Sequence, residues 1–165
     1  MTYIRCPNEH DLILEFMSFW TKNYPDVVTG WNTDFFDIPY LANRINQVCG
    51  ESKMKELSPW GNVSSRKIYS MGRNHLMYDI MGVSQYDYLQ LYQKFTYTKQ
   101  ESYKLDYIAQ VELGEKKDEN PYETFREWYE NDFQSFIDYN IQDVEIVDKL
   151  EDKMGLIDLA LTMAY

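Results

Sequence analysis

Apolar residues recur along this chain at spacings that change character several times, and each change predicts an element. Between Asn8 and Asn23 the residues Leu12, Leu14, Phe16, Phe19 and Trp20 form an approximate helical stripe, with Asn8 placed to cap the first turn and Asp11 three residues on. Tyr24-Pro25-Asp26 ends that helix. Val27-Val28-Thr29-Gly30-Trp31 is β-branched and bounded by turn formers, which predicts a short buried strand. A loop from Asn32 to Phe36 leads into a second helix that starts near Asp37 and runs to Gly50. Its apolar face is Ile38, Leu41, Ile45 and Val48, at spacings of 3, 4 and 3. Helix, strand and helix in this order predict an α/β fold on a parallel sheet.

The pattern then shifts. Ile68, Tyr69 and Met71, then Leu76, Met77, Tyr78 and Ile80, flank Gly72-Arg73-Asn74 and predict a β-hairpin within residues 63–82. Val83 to Leu91 predicts a strand running into a short helix at Leu89–Phe95. Ser102 is placed to cap a helix whose face is Leu105, Ile108, Ala109 and Leu113, with Gly114 as its stop. Residues 116–124 are polar and loop-like. A long helix with a break follows, from about Tyr122 to Lys153, carrying Phe133, Phe136, Ile137, Ile141, Val144 and Val147. No repeat or linker marks an internal boundary.

Composition narrows the class. With 165 residues, 44% of them hydrophobic, the chain can bury one domain-sized core, and 15 Tyr and 4 Trp exclude a disordered segment. Cys6 and Cys49 make no ligand pattern and read as reduced, structural and cytosolic. His10 and His75 stand alone and read as surface or turn residues. No run is apolar enough for a membrane span, and no secretory leader opens the chain. A net charge of −11 argues against tight autonomous binding to nucleic acid. The charge is uneven: residues 51–78 set Lys53, Lys55, Arg66, Lys67 and Arg73 against Glu51 and Glu56, whereas residues 79–165 hold 8 basic and 19 acidic residues. Ordinary solubility charge is one reading of that asymmetry.

Two places carry candidate chemistry. Gly30-Trp31-Asn32-Thr33-Asp34-Phe35-Phe36-Asp37-Ile38-Pro39-Tyr40 puts a carboxylate where a strand passes into a helix, the end of a parallel sheet at which ligand sites gather. Asp37 also suits a helix N-cap, and the two roles can coexist. Tyr139-Asn140-Ile141-Gln142-Asp143 puts a phenol and a carboxylate at i and i+4, on one helix face. A solvated polar face beside the Phe136–Val144–Val147 stripe is the alternative there.

Taken together, these residues resemble a known family. Gly30-Trp31-Asn32, Phe36-Asp37-Ile38-Pro39-Tyr40 and Asn43-Arg44 resemble the second exonuclease motif of family B DNA polymerases, and Tyr139-(x3)-Asp143 resembles the third. Ser102-Tyr103-Lys104-Leu105 through Gly114-Glu115-Lys116-Lys117 is similar to the segment before that third motif. The likeness is to the T-even-type tailed-phage branch and extends from the first helix to Leu161-Thr162-Met163-Ala164-Tyr165.

The resemblance implies a ribonuclease-H-like mixed sheet with surrounding helices and a β-hairpin insertion at 63–82. It implies 3′→5′ proofreading, hydrolysis of the 3′-terminal nucleotide of single-stranded DNA by two divalent cations about 4 Å apart. Mg²⁺ or Mn²⁺ prefers oxygen ligands, and the carry-over gives Asp37 the second ion and Asp143 the first. Tyr139 would orient the attacking water, and Asn32 and Phe36 would shape the pocket for the frayed 3′ end. Lys117 falls where the phage enzymes place a lysine near the site, to stabilise phosphate charge; a solvated loop lysine is the other reading. Arg66, Lys67 and Arg73 lie on the hairpin that helps to separate primer from template in those enzymes.

The family's first motif, Asp-x-Glu on the opening strand, is absent before Asp37; Glu9 with Asp11 has the reverse order. The expectation is therefore a partial exonuclease domain over residues 1–165, lacking the first strands of its sheet and half of its metal carboxylates. It would bind metal weakly by itself, being either a fragment or one polypeptide of a split polymerase completed by another chain, in the cytoplasm of a phage-infected bacterium. An uncovered sheet edge would favour self-association or pairing with the missing segment. The rival reading from another class is a non-catalytic, exonuclease-like module that binds DNA or the complementary polypeptide.

Overall fold

The computed structural model describes residues 4–70, 72–115 and 121–164. No linker-like stretch marks Asp87–Tyr88, yet the chain gathers there into two compact units, Met1–Asp87 and Tyr88–Tyr165.

The first unit begins with helix α1, Glu9–Lys22, whose cap is Asn8: its side chain accepts the Asp11 N–H, as the sequence indicates. The inward face is not the whole expected stripe. Ile13 and Met17 are buried with Phe16 and Trp20 packed beside them, while Leu12, Leu14 and Phe19 are exposed. The 3.6-residue period explains the choice, because 13, 16, 17 and 20 share one side. Strand β1, Val27–Gly30, is half-buried rather than buried, and exposed Thr29 donates its hydroxyl to the Tyr86 carbonyl at 2.7 Å. Helix α2, Asp37–Cys49, buries Ile38, Ala42 and Ile45. Gly50, at φ 88, ends it as expected, but a short helix α3, Glu51–Lys55, follows at once and was not expected.

The hairpin is where the turn residues put it. Strands β2, Val63–Ser70, and β3, Arg73–Ile80, pair antiparallel, with Ser70 opposite Arg73. Strand β4, Ser84–Asp87, pairs parallel with β1 and sets Gly30 opposite Asp87. The Gln85 side-chain amide donates to the Tyr78 carbonyl and accepts the Ile80 N–H, each at 2.9 Å, so it pairs with β3 as a further peptide group would. Ile13, Met17, Ile38, Ala42, Ile45, Met54, Leu57, Ile80 and Val83 form the core. Trp20 Nε1 donates to the Leu57 carbonyl at 2.9 Å at its edge.

In the second unit, helix α4, Tyr88–Phe95, packs on α8, Leu156–Ala164, and α5, Leu105–Leu113, packs on α7, Phe133–Met154. The expected break in the long helix is at Asp132, between α6, Phe125–Asn131, and α7; Asp132 caps α7 by accepting the Ser135 N–H at 3.2 Å. Two expectations need correction. Ser102 does not cap α5: its hydroxyl accepts the N–H of Lys104, which is extended and is itself the cap residue. Val144 is 71% exposed, because the buried face of α7 runs through Ile146, Val147 and Leu150. Gly114, with φ 71, ends α5 in the left-handed conformation its position in the sequence suggests.

The described residues form a mixed α/β arrangement with two two-stranded sheets. None of their helices is long and apolar enough to cross a membrane.

Candidate functional site

β1 opens directly into the loop that precedes Asp37, and β4 beside it ends at Asp87, whose side chain meets that loop. A Cβ on Gly30 would stand 2.7 Å from Thr33 Cγ2, so the chain needs glycine where the loop folds back. Asn32 has φ 67, a left-handed conformation that asparagine tolerates better than most residues. Two turns follow: Phe36 N–H donates to the Asn32 carbonyl at 3.1 Å, and Ile38 N–H to the Thr33 carbonyl at 3.0 Å. They start α2 at Asp37, with Phe36 as its cap residue. Asp37 is therefore not the cap, and its carboxylate is left for other work while it favours the positive end of the helix. Pro39 lies in the first turn, where its missing N–H costs nothing.

Partial burial pushes the Asp37 carboxyl above its ordinary value, the hydrogen bond from its own backbone N–H pulls it down, and the charge of Asp87 raises it further. Asp87 is a residue the sequence reading missed. It is 3% exposed, its Oδ1 accepts the Asn32 N–H at 3.0 Å, and its Oδ2 accepts the Asp34 N–H at 3.2 Å. Its only sequence signal is an aspartate closing a short β-run, and its partners lie 55 and 53 residues away.

On the outer side of α2, Phe36 and Tyr40 are both exposed, with rings 6.5 Å apart and 12° from parallel. Asn43 accepts the Tyr78 hydroxyl at 2.7 Å, which ties α2 to the hairpin. Arg44 is held by Glu9, its Nε donating to Oε1 at 2.7 Å. On the hairpin, Arg66 Nε lies 3.4 Å from Asp79, and Lys67 and Arg73 are exposed. A 330 Å³ pocket lined in part by Asp34, Arg66, Asp79 and Gln85 opens beside β3, and Asp37 is not among its walls.

Tyr139 and Asp143 lie one turn apart on α7, as their spacing requires. The Tyr139 ring packs 4.8 Å from that of Trp128 and 6.1 Å from that of Phe125. Trp128 is buried and donates Nε1–H to Ser135 Oγ at 3.2 Å, so the wall behind Tyr139 is fixed to the start of its own helix. Asp143 is half-buried. Lys117 lies outside the described residues.

Asp37, Asn32 and Phe36 thus share one loop and helix start in the first unit, and Tyr139 and Asp143 share one helix face in the second. Among the described residues, no group of three or more His, Cys, Asp or Glu side chains could hold a metal ion.

The family model for the exonuclease domain of family B DNA polymerases matches residues 2–108. The DNA-directed DNA polymerase of Enterobacteria phage T4 is 41% identical over 164 residues, which covers 99% of this chain and 18% of that polymerase. The one from Escherichia phage RB69 is 40% identical over 165 residues, with the same two coverages. The DNA polymerase of Autographa californica nuclear polyhedrosis virus is 28% identical over 156 residues, 92% of this chain and 16% of that protein. The chain spans about a fifth of the length of these relatives.

Proposed function

The chain belongs to the family B DNA polymerase exonuclease domains, and from that premise we propose that it contributes to 3′→5′ proofreading, removing the 3′-terminal nucleotide of single-stranded DNA within a DNA polymerase. The observation that carries this reading is the loop of residues 31–36: it delivers Asp37 to the first position of α2 free of any capping duty, with Asn32 and Phe36 beside it.

The donor chemistry fits a hard divalent cation such as Mg²⁺ or Mn²⁺, since Asp37 and Asp143 offer only carboxylate oxygens. A cation would also relieve the repulsion that Asp87 exerts on Asp37. Asp37 and Asp143 would each ligate metal, together with carboxylates from elsewhere in the polymerase, because no cluster of three exists among the described residues. When bound, such ions lower the pKa of a water and stabilise charge at the phosphorus.

The chain's own residues would do the rest. Tyr139, with its ring packed against those of Trp128 and Phe125, would orient the attacking water through its hydroxyl. Phe36 and Tyr40, exposed and nearly parallel, would stack against unpaired bases, an interaction tolerant of sequence. Arg66, Lys67 and Arg73 would contact the phosphate backbone from the hairpin, and Lys117 would stabilise phosphate charge. The fold would be the ribonuclease-H-like sheet of this reading, with β1 and β4 as two of its strands. A two-stranded parallel sheet is ordinarily covered and extended by neighbours, which the remaining polymerase segments would supply.

The test is Mg²⁺-dependent shortening of a 5′-labelled single-stranded oligonucleotide by the full polymerase polypeptide. Asp37→Ala and Asp143→Ala are each expected to slow it by about a hundredfold or more, with DNA synthesis retained. Shortening at the wild-type rate by Asp37→Ala would sink the catalytic reading, and unchanged oligonucleotide binding in that variant would then favour the non-catalytic module.

A further inference from the structure

A buried carboxylate is costly to desolvate unless charge-assisted hydrogen bonds compensate it. Asp87, at the end of β4, accepts such bonds from the backbone of one turn: Asn32 N–H on Oδ1 at 3.0 Å and Asp34 N–H on Oδ2 at 3.2 Å. The carbonyls of that same turn point the other way along the chain. Asn32 accepts the Phe36 N–H, and Thr33 accepts the Ile38 N–H, so the residues on either side of Asp37 are fixed by the turn that Asp87 holds. Thr33, between the two gripped N–H groups, is itself buried, and Gly30 leaves the space its methyl occupies.

We propose that Asp87 is a positioning residue for Asp37, acting through the backbone of Asn32–Asp34. It clamps the turn in its left-handed conformation at Asn32 and thereby sets where the Asp37 carboxylate stands for a divalent cation. The proposal rests on the proofreading reading for its catalytic consequence, and on hydrogen bonding alone for the clamp. Two oxygens are required. An amide at position 87 offers one acceptor, and its NH₂ group would face a backbone donor, so one of the two bonds is lost. The amide has nearly the same size, which separates loss of the clamp from loss of volume.

The variant is therefore Asp87→Asn, read in two ways. Amide hydrogen exchange on the protein needs no catalytic activity: exchange at Asn32 and Asp34 is expected to quicken by about tenfold or more, with the amides of α1 unchanged. Oligonucleotide shortening by the full polymerase polypeptide is expected to slow by about tenfold or more, with a severalfold rise in the Mg²⁺ concentration giving half the maximal rate, because misplacing a ligand by about 1 Å is enough for such losses. Unchanged exchange at Asn32 and Asp34 overturns the clamp whether or not the protein degrades DNA. Faster exchange with an unchanged rate, or a slower rate with unchanged Mg²⁺ dependence, leaves Asp87 a role in the fold only and overturns the positioning role. If Asp87→Asn fails to melt cooperatively, Asp87→Glu carries the same two readouts, its longer stem displacing the turn while the charge is kept. A wild-type polymerase that shortens no DNA overturns the proofreading reading, and the exchange experiment still decides the clamp.

Discussion

The rings of Phe35 and His75 pack 4.8 Å apart at 57°, and the contact joins the loop leading to Asp37 with the hairpin strand that begins at Arg73. Farther along the same strand, Tyr78 donates to Asn43 of α2. These two contacts tie the hairpin to the loop before Asp37 and to α2, in addition to its own ladder and the Gln85 bonds to β3. Aromatic pairs contribute about 0.5–1.5 kcal/mol beyond the area they bury. His75→Ala is expected to destabilise the first unit by about 1 kcal/mol and to quicken amide exchange in the turn-proximal half of the hairpin. Uniform exchange along β2 and β3 in both proteins would show that the ring contact does not anchor it.

Trp128 is the largest fully buried side chain among the described residues, packed against Phe125, Phe136 and Tyr139. Removing such a ring leaves a cavity that a close-packed interior fills poorly. Trp128→Ala is expected to cost about 3–5 kcal/mol in denaturant unfolding of the second unit. Trp128→Phe should cost less and keep the wall behind Tyr139. Equal losses from the two would point to the Ser135 hydrogen bond, rather than ring volume, as the main contribution.

Alkaline pH tests another part of that unit. Burial pushes the Tyr92 phenol up to about 12 from 10.0, and its hydrogen bond to Glu112 adds to the shift. The folded-state value is raised, so the stabilisation is fully present below pH 10 and is lost as pH climbs toward about 12. Burial and Glu151 push Tyr88 up as well, which acts in the same sense. Thermal melts taken across this window should fall, and Tyr92→Phe should flatten the fall. A variant with the wild-type slope would remove Tyr92 as its source.

Lys67 and Arg73 are exposed on the hairpin. If they meet single-stranded DNA, each releases counterions, and the slope of log affinity against log salt carries about 0.7 per contact. The double variant Lys67→Ala, Arg73→Ala should therefore flatten that slope by about 1.4 in titrations with a single-stranded oligonucleotide. An unchanged slope would mean that the hairpin does not touch the backbone.

Local signals explain what was legible in the sequence. Asn8, Gly72 and Gly114 act within a turn of where they stand, so α1, the hairpin and the end of α5 could be read directly. The spacing of Tyr139 and Asp143 needs only a continuous helix. Asp87 was hidden because its partners come from a strand pairing across more than fifty residues, which no local pattern encodes. Ser102 misled because a hydroxyl beside a helix start can bond to a neighbouring N–H without capping. Leu12 and Phe19 misled because a stripe of apolar residues is wider than the face one neighbouring helix can cover.

The aromatic enclosure around Tyr139 also makes the protein its own optical reporter. Of the 4 tryptophans, Trp20, Trp31 and Trp60 lie in the first unit, and Trp128 alone in the second. With those three replaced by phenylalanine, the remaining emitter sits against the phenol proposed to orient water. Its emission would then follow loosening around Tyr139 separately from events near Asp37, distinguishing two disturbances that a rate measurement would merge.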